Sequence, residues 1–192
     1  MSIFEHVSVF LCIILGLAVV HLIGGLAMIL DAHTKARLYW IHIAWTVCML
    51  FIVILVWLGS FVLSPLSQIG ALHFLNLLAY AMVTSLMSGL LFPVGGGKVE
   101  DYRQHFEANK VRLYYLGIIF VIVDGVDGVL EHYNAGIEWD IGQYGTLAIW
   151  FLALLSGLIK KNSKIDTVIV VLMLIGIIGW FMSLIDTSVL IW

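Results

Sequence analysis

All nine Lys and Arg residues of this 192-residue chain fall within three short segments, at residues 35–37, 98–112 and 160–164. Long apolar stretches separate the segments, and no Lys or Arg interrupts these stretches. When apolar helices insert into a membrane, basic loops of this kind stay on the cytoplasmic side. The charge pattern therefore predicts a multi-pass membrane protein and also its orientation.

The composition excludes an ordinary soluble domain. Apolar residues make up 62% of the chain and charged residues 11%, whereas soluble domains average about 45–50% apolar and about 25% charged residues. The mean hydropathy is +1.11. No linker or low-complexity tract divides the sequence, so we expect residues 1–192 to form a single transmembrane domain. The sequence has no basic patch beyond the loops that orient it, so we expect no nucleic-acid partner.

Six apolar segments are long enough to cross a membrane, because about 20 helical residues span the hydrocarbon core. They cover residues 4–30, 38–63, 71–92, 111–132, 142–159 and 165–191. If the three basic segments all lie inside, the N-terminus and the C-terminus both lie outside. We therefore expect an all-α, polytopic transmembrane helical bundle in contact with the lipid bilayer. Six such helices enclose little space on their own, so we also expect a homo-oligomer.

The longest basic loop contains a predicted amphipathic helix over residues 99–112. Tyr102 and Phe106 recur at helical spacing on its apolar face, and Arg103 lies one turn before Glu107, with which it can pair. This helix can continue directly into the fourth span. One interpretation is a solvated helical extension. The alternative is binding of a cytoplasmic protein partner through Tyr102, Arg103 and Phe106.

The fourth span carries an acidic stripe, which we define as Asp124, Asp127 and Glu131. Spacings of three and four residues place these carboxylates on one helical face. Counted from Val111 at ~1.5 Å per residue, Asp124 lies ~20 Å into the span. A charged side chain at the bilayer centre costs about 2.5–3.5 kcal/mol even on permissive scales. The stripe is therefore predicted to bind a cation or relay protons, and the alternative is protonated or hydrogen-bonded carboxyls in helix packing.

Other polar residues are predicted near the outer surface, and we call this set the outer vestibule. It consists of Glu5, His6, His73, His132 and Asp186. No local spacing ties these residues together, so we expect them to concentrate cations rather than to form a metal site.

His21 lies deep in the first span, where it is either a packed, hydrogen-bonded residue or a proton carrier. A haem held between His21 and His42 conflicts with their difference in depth, which is ~9 Å at helical rise. We expect neither a metal nor a cofactor.

Two resemblances bear on function. The run Asp124-x-x-Asp127-Gly128 resembles the start of the CDP-alcohol phosphotransferase motif, but Thr146 and Trp150 stand where that motif requires two further Asp residues, so we do not expect this activity. The layout SVFLCIILGLAVVHLIGG, RLYWIHIAW and HFEANKVRLYY resembles an uncharacterised family of small bacterial multi-pass membrane proteins. That resemblance implies a bacterial inner membrane and transfers no activity.

These patterns together favour a small cation or proton channel or transporter. In this hypothesis Glu131 and Asp127 capture the ion and Asp124 carries it to mid-membrane. His21 then passes it towards the inside. The alternative is a non-transporting sensor, anchor or assembly subunit that acts through the 99–112 helix. An enzyme is the least favoured class, because the sequence contains no nucleophile–base arrangement or cofactor motif.

Overall fold

The computed structural model describes residues 3–31, 35–64, 66, 68–93, 95, 97–160 and 162–186. These residues form six α-helices, namely α1 (Ile3–Leu30), α2 (Trp40–Gly59), α3 (Ala71–Leu91), α4 (Tyr102–Ala135), α5 (Ile141–Ile159) and α6 (Ser163–Asp186). A 3₁₀ turn, Ser60–Leu63, extends α2. All six helices are long and apolar enough to cross a membrane. The predicted all-α class and the predicted number of six helices able to span a membrane are confirmed; positions 187–191 of the sixth predicted span lie outside the described residues.

α4 is a single helix of 34 residues that joins the predicted amphipathic helix to the fourth span. It begins three residues later than predicted, because the Asp101 carboxylate accepts hydrogen bonds from the backbone N–H groups of Arg103 and Gln104 at 2.8 and 3.2 Å. Such a cap satisfies N–H groups that have no partner within the helix. α4 ends before Gly136, which adopts the left-handed conformation (φ 69°) that terminates many helices.

The helices form a ring in the order α1, α3, α4, α5, α6 and α2, in which each packs against the next. α2 also packs against α3 and is the most buried of the six. Large side chains such as Trp45, Ile52 and Met87 fill the centre and have no exposed surface. Leu17 and Leu152 are among many apolar side chains that are exposed on the outside of the ring. A surface of this extent and character suits contact with lipid tails.

Loop contacts define two ends of the bundle. At the basic end, Arg37 exchanges backbone hydrogen bonds with Glu100 and Tyr102 at 2.9 and 3.0 Å. Tyr39 Oη lies 3.4 Å from Ser163 Oγ at the same end. The acidic end comprises the start of α1, the turn between α2 and α3, and the loop between α4 and α5. The three segments that contain Lys and Arg thus meet at one end, as the alternation of loops predicted. Their cytoplasmic location stays a prediction from the charge pattern.

Candidate functional site

The acidic stripe of α4 faces α3, and polar side chains of α3 meet it. His73, Asn76 and Tyr80 recur at spacings of three and four residues, so they occupy one face of α3. α3 and α4 run antiparallel and pack more extensively than any other helix pair. The start of α3 therefore lies beside the end of α4, and the two polar faces are in register.

Both aspartates of the stripe accept hydrogen bonds from neutral side chains. Asp124 is 6% exposed and accepts from Tyr80 Oη. On the other side of α4, Asp124 and Gln143 of α5 line one cavity. Asp127 accepts from Asn76 Nδ2 at 2.9 Å. The stripe is thus hydrogen-bonded to α3 and borders α5 on the other side of α4.

His73 is the vestibule residue that the structure brings to the stripe. It is 1% exposed, and its Nδ1 lies 3.3 Å from Asn134 Nδ2. Because an amide nitrogen only donates, Nδ1 is the acceptor in this contact and the ring proton lies on Nε2. That Nε2 has no hydrogen bond, although it lies 3.4 Å from Asp127 Oδ1. A small movement of either side chain would complete an N–H···O bond between them.

Glu131 is the outermost carboxyl of the stripe and is half-buried. It lies close enough to Asp124 and Asp127 to interact with them electrostatically. Gly128 lets Tyr144 of α5 approach this group, since a Cβ at position 128 would lie 2.7 Å from Tyr144 Oη. Among the described residues, no Lys or Arg pairs with any of the three carboxyls. The three carboxyls therefore carry either protons or negative charge, and no Lys or Arg of the described residues serves as their counter-ion.

His132 directly follows the stripe in sequence but has a different role. Its Nδ1 lies 2.7 Å from the carbonyl oxygen of Ile137, and its ring packs on Trp139 with 4.4 Å between ring centroids. His132 therefore stabilises the loop between α4 and α5 at the acidic end. Its contacts are with that loop and not with the carboxyls of the stripe.

The remaining vestibule residues were predicted from their positions alone. Glu5 and His6 are exposed in the first turns of α1, at the acidic end. Asp186 is the last residue of α6, and its side chain lies outside the described part of the protein. Within the described ranges, no three His, Cys, Asp or Glu side chains are arranged so that they could hold a metal ion.

His21 and His42 both contact the end of α3. His21 Nε2 lies 3.2 Å from the carbonyl oxygen of Phe92, and His42 Nε2 lies 2.6 Å from that of Leu91. The last carbonyls of a helix have no intrahelical partner, so an N–H from each imidazole satisfies one of them. His42 also has a buried Nδ1 without a hydrogen bond, and its ring centroid lies 6.2 Å from that of His105. For His21, the contact with the Phe92 carbonyl supports the interpretation as a packed, hydrogen-bonded residue.

A polar track on α3 was not predicted. We define it as Asn76, Tyr80, Thr84 and Ser88, which follow His73 along one face of the helix. Thr84 and Ser88 have no exposed surface, and their hydroxyls donate to the carbonyl oxygens of Tyr80 and Thr84 at 2.8 and 2.9 Å. The sequence contains the signal, since a polar residue recurs every four positions from Asn76 to Ser88 in a mostly apolar span. The track leads from the acidic stripe towards the basic end.

The predicted partner-binding residues differ in accessibility. Tyr102 and Phe106 are only 3% and 2% exposed. The ring centroids of Tyr102 and His42 are 4.9 Å apart, and those of Phe106 and Tyr39 are 5.8 Å apart. Arg103 is exposed beside them. The chain itself thus covers the apolar face of the predicted amphipathic helix, so Tyr102 and Phe106 are not on the surface that a partner would meet.

A second buried polar group lies at the basic end, and we call it the ion-pair cluster. Lys110 Nζ lies 3.1 Å from Asp166 Oδ2 and 2.6 Å from Glu107 Oε2. Tyr114 Oη donates to Asp166 Oδ1 at 2.8 Å. Asp166 is fully buried and Lys110 is 5% exposed. The cluster joins α4 to the start of α6. Sequence reasoning missed it because its members are far apart in the chain.

The fold and the buried polar groups define a multi-pass membrane protein with six helices and an acidic stripe inside the bundle. Comparison of the chain with protein-family models, with curated proteins and with solved structures gave no match.

Proposed function

We propose that this protein conducts protons along the interface between α3 and α4, in a bacterial inner membrane. One observation carries the proposal. The buried carboxyl of Asp124 and the half-buried carboxyl of Asp127 contact neutral donors from α3, while no described Lys or Arg pairs with them. Ionisable residues at this depth in a membrane are costly and commonly mark ion or proton pathways.

The chemistry of the partners favours a proton over a metal cation. Calcium takes 6–8 oxygen ligands, and magnesium needs a near-octahedral oxygen shell. Here the hydroxyl of Tyr80 and the amide of Asn76 direct hydrogen atoms at the carboxylate oxygens. Each of those hydrogens takes one acceptor site of a carboxylate that a bound metal would otherwise use. A proton requires no such shell and can move between hydrogen-bonded groups.

The proposed path begins at the acidic end. Glu131 and Asp127 receive the proton, with the His73 imidazole beside Asp127. Asp124 then takes it to the centre of the bundle, where Tyr80 is its hydrogen-bond partner. By the positive-inside rule this end faces outward, so the stripe draws protons from the external side.

The polar track supplies the inner half of the path. Each hydroxyl of Tyr80, Thr84 and Ser88 both donates and accepts hydrogen bonds. Successive members lie one helical turn apart, where Cβ atoms are ~5–6 Å from each other, and the proposal requires a water between successive hydroxyls. His42 stands beyond the track with a buried, unbonded Nδ1. Both histidines bond a carbonyl oxygen at the end of α3 through Nε2. The proposal gives the inner step to His42 because it is fully buried, whereas His21 is half-buried.

The test is proton flux into liposomes that contain the purified protein and a trapped pH indicator, driven by a potassium diffusion potential. We expect flux in the wild type and its loss when Asp124→Asn, Asp127→Asn and Glu131→Gln are combined. Glu138→Gln is the matched control, because Glu138 is an exposed acid outside the stripe. Equal flux in sodium and lithium media would identify the proton as the conducted ion. Unchanged flux in the triple variant would contradict the proposal.

A further inference from the structure

Asp124 has a second environment on the side of α4 that faces away from α3. There it lines a cavity of about 360 Å³ between α4, α5 and α6. Ligand pockets in proteins commonly enclose about 300–1,000 Å³ and combine apolar walls with a few polar groups. The volume is therefore sufficient for a small organic molecule.

The charge of the cavity wall has one sign. Asp124 lies in the membrane-spanning part, and Asp140 lies where α5 begins. Among the described residues that line the cavity there is no Lys, Arg or His. Gln143 and Thr146 add neutral polar groups. An anionic ligand would meet only repulsion here, whereas a cation would find a buried counter-ion.

Two indole rings complete the wall. Trp150 is fixed by a hydrogen bond from its Nε1 to the carbonyl oxygen of Leu172 at 3.1 Å. Gly176 permits this position, because a Cβ there would lie 2.7 Å from the indole. Trp180 also lines the cavity. Among aromatic side chains, tryptophan attracts cations most strongly, and aromatic rings are the known setting for quaternary ammonium groups.

We propose that the cavity between α4, α5 and α6 binds a small monovalent organic cation with an apolar body, and that Asp124 is its counter-ion. The ammonium group lies against Asp124, and the apolar body lies among Leu147, Trp150 and Trp180. This site goes beyond the proposed proton path, with which it shares Asp124 but no other residue. Cation and proton would therefore compete for one carboxylate.

The probe for this site is tritiated benzyltrimethylammonium, bound to purified wild-type protein in detergent and measured by scintillation proximity. Its uncharged isostere is neopentylbenzene, in which a carbon replaces the quaternary nitrogen. We expect saturable binding that unlabelled benzyltrimethylammonium displaces and neopentylbenzene does not. Equal displacement by the isostere would overturn the proposal, because it would mean that the cavity selects only apolar shape.

Two variants test the location of the site. Asp124→Asn removes the counter-ion, and we expect at least a tenfold loss of affinity. Gly179→Leu fills the cavity, since Gly179 lines it and a Cβ there meets open space; we expect binding to be lost although Asp124 is intact. Gly145→Leu is the matched control, because Gly145 is an exposed α5 glycine with open space around it and does not line the cavity. The proposal would be overturned if Gly179→Leu bound the probe as tightly as the wild type, or if the wild type showed no saturable binding.

The outcome is separable from that of the proton experiment. Proton flux in a wild-type protein that binds no benzyltrimethylammonium would overturn the cation site alone. Saturable binding without proton flux would support the cation site and contradict proton conduction. If both hold, benzyltrimethylammonium should reduce proton flux in the wild type and have no effect in Gly179→Leu.

Discussion

The acidic stripe and the ion-pair cluster both bury carboxylates within the bundle, but only in the ion-pair cluster does a positive charge compensate them. Asp166 in the ion-pair cluster contacts the ammonium of Lys110 and the hydroxyl of Tyr114. Asp124 in the acidic stripe is nearly as well buried and contacts the hydroxyl of Tyr80. A charge with a fixed partner has little capacity for another ion. The ion-pair cluster thus joins α4 to α6, whereas the acidic stripe has the uncompensated carboxyls on which the proposed proton path depends.

The largest effect expected on stability is at the ion-pair cluster. Lys110→Met leaves Asp166 buried without its cation, and loss of one member of a buried pair costs about 3–5 kcal/mol. The free energy of unfolding in detergent, followed by circular dichroism during denaturant titration, measures this. The double variant Lys110→Met/Asp166→Leu should recover most of the loss. If the single and double variants were equally unstable, the cluster would not act as a charge pair.

Glycine substitutions compare packing at the two ends. A Cβ at Gly25 would lie 2.2 Å from the ring of buried Phe92, whereas one at Gly128 would meet the movable hydroxyl of Tyr144. Overpacking a core costs about 1–3 kcal/mol, so we expect Gly25→Ala to destabilise the protein by that amount and Gly128→Ala by less. Gly24→Ala is the control, because a Cβ at Gly24 meets open space. Thermal unfolding of the three variants ranks them, and equal stability of Gly25→Ala and Gly24→Ala would refute the tight contact.

Within the acidic stripe, loss of a neutral partner should be milder than loss of Lys110. Tyr80→Phe removes one hydrogen bond to Asp124, and hydrogen bonds to charged groups contribute about 1.5–3 kcal/mol. Asp124→Asn should cost less than Tyr80→Phe, because the amide oxygen can still accept from Tyr80. Denaturant titration of both variants and of their combination gives the coupling. A larger loss in Tyr80→Phe than in Lys110→Met would reverse the comparison between the two clusters.

The smallest effect on stability is expected in the polar track. Ser88→Ala removes a hydroxyl bonded to its own helix, a contact that contributes little, but the change should lower proton flux. Ser85→Ala is the control on the same helix. It removes a hydrogen bond to the Ile14 carbonyl oxygen of α1 at 3.1 Å and should cost about 1 kcal/mol without changing flux. The opposite pattern would exclude the track from the path.

The sequence predicted the fold more fully than the site. Charge segregation and span length gave the six helices, and the three- and four-residue spacing gave the acidic face of α4. Contacts between distant residues were not predictable, because side-chain periodicity fixes a face but not its neighbour. Asp166 and Lys110 illustrate this, since in the sequence each is a charged residue next to a predicted loop and nothing pairs them. Asn76 and Tyr80 were overlooked because neither is formally charged.

Proton flux in liposomes with Asp124→Asn beside Lys110→Met/Asp166→Leu tests the difference between the two clusters most directly. Both variants neutralise a buried carboxylate, but Asp124 belongs to the uncompensated stripe and Asp166 to the compensated cluster. We expect flux to be lost in Asp124→Asn and retained in the double variant. Flux retained in Asp124→Asn would contradict a proton path through the acidic stripe.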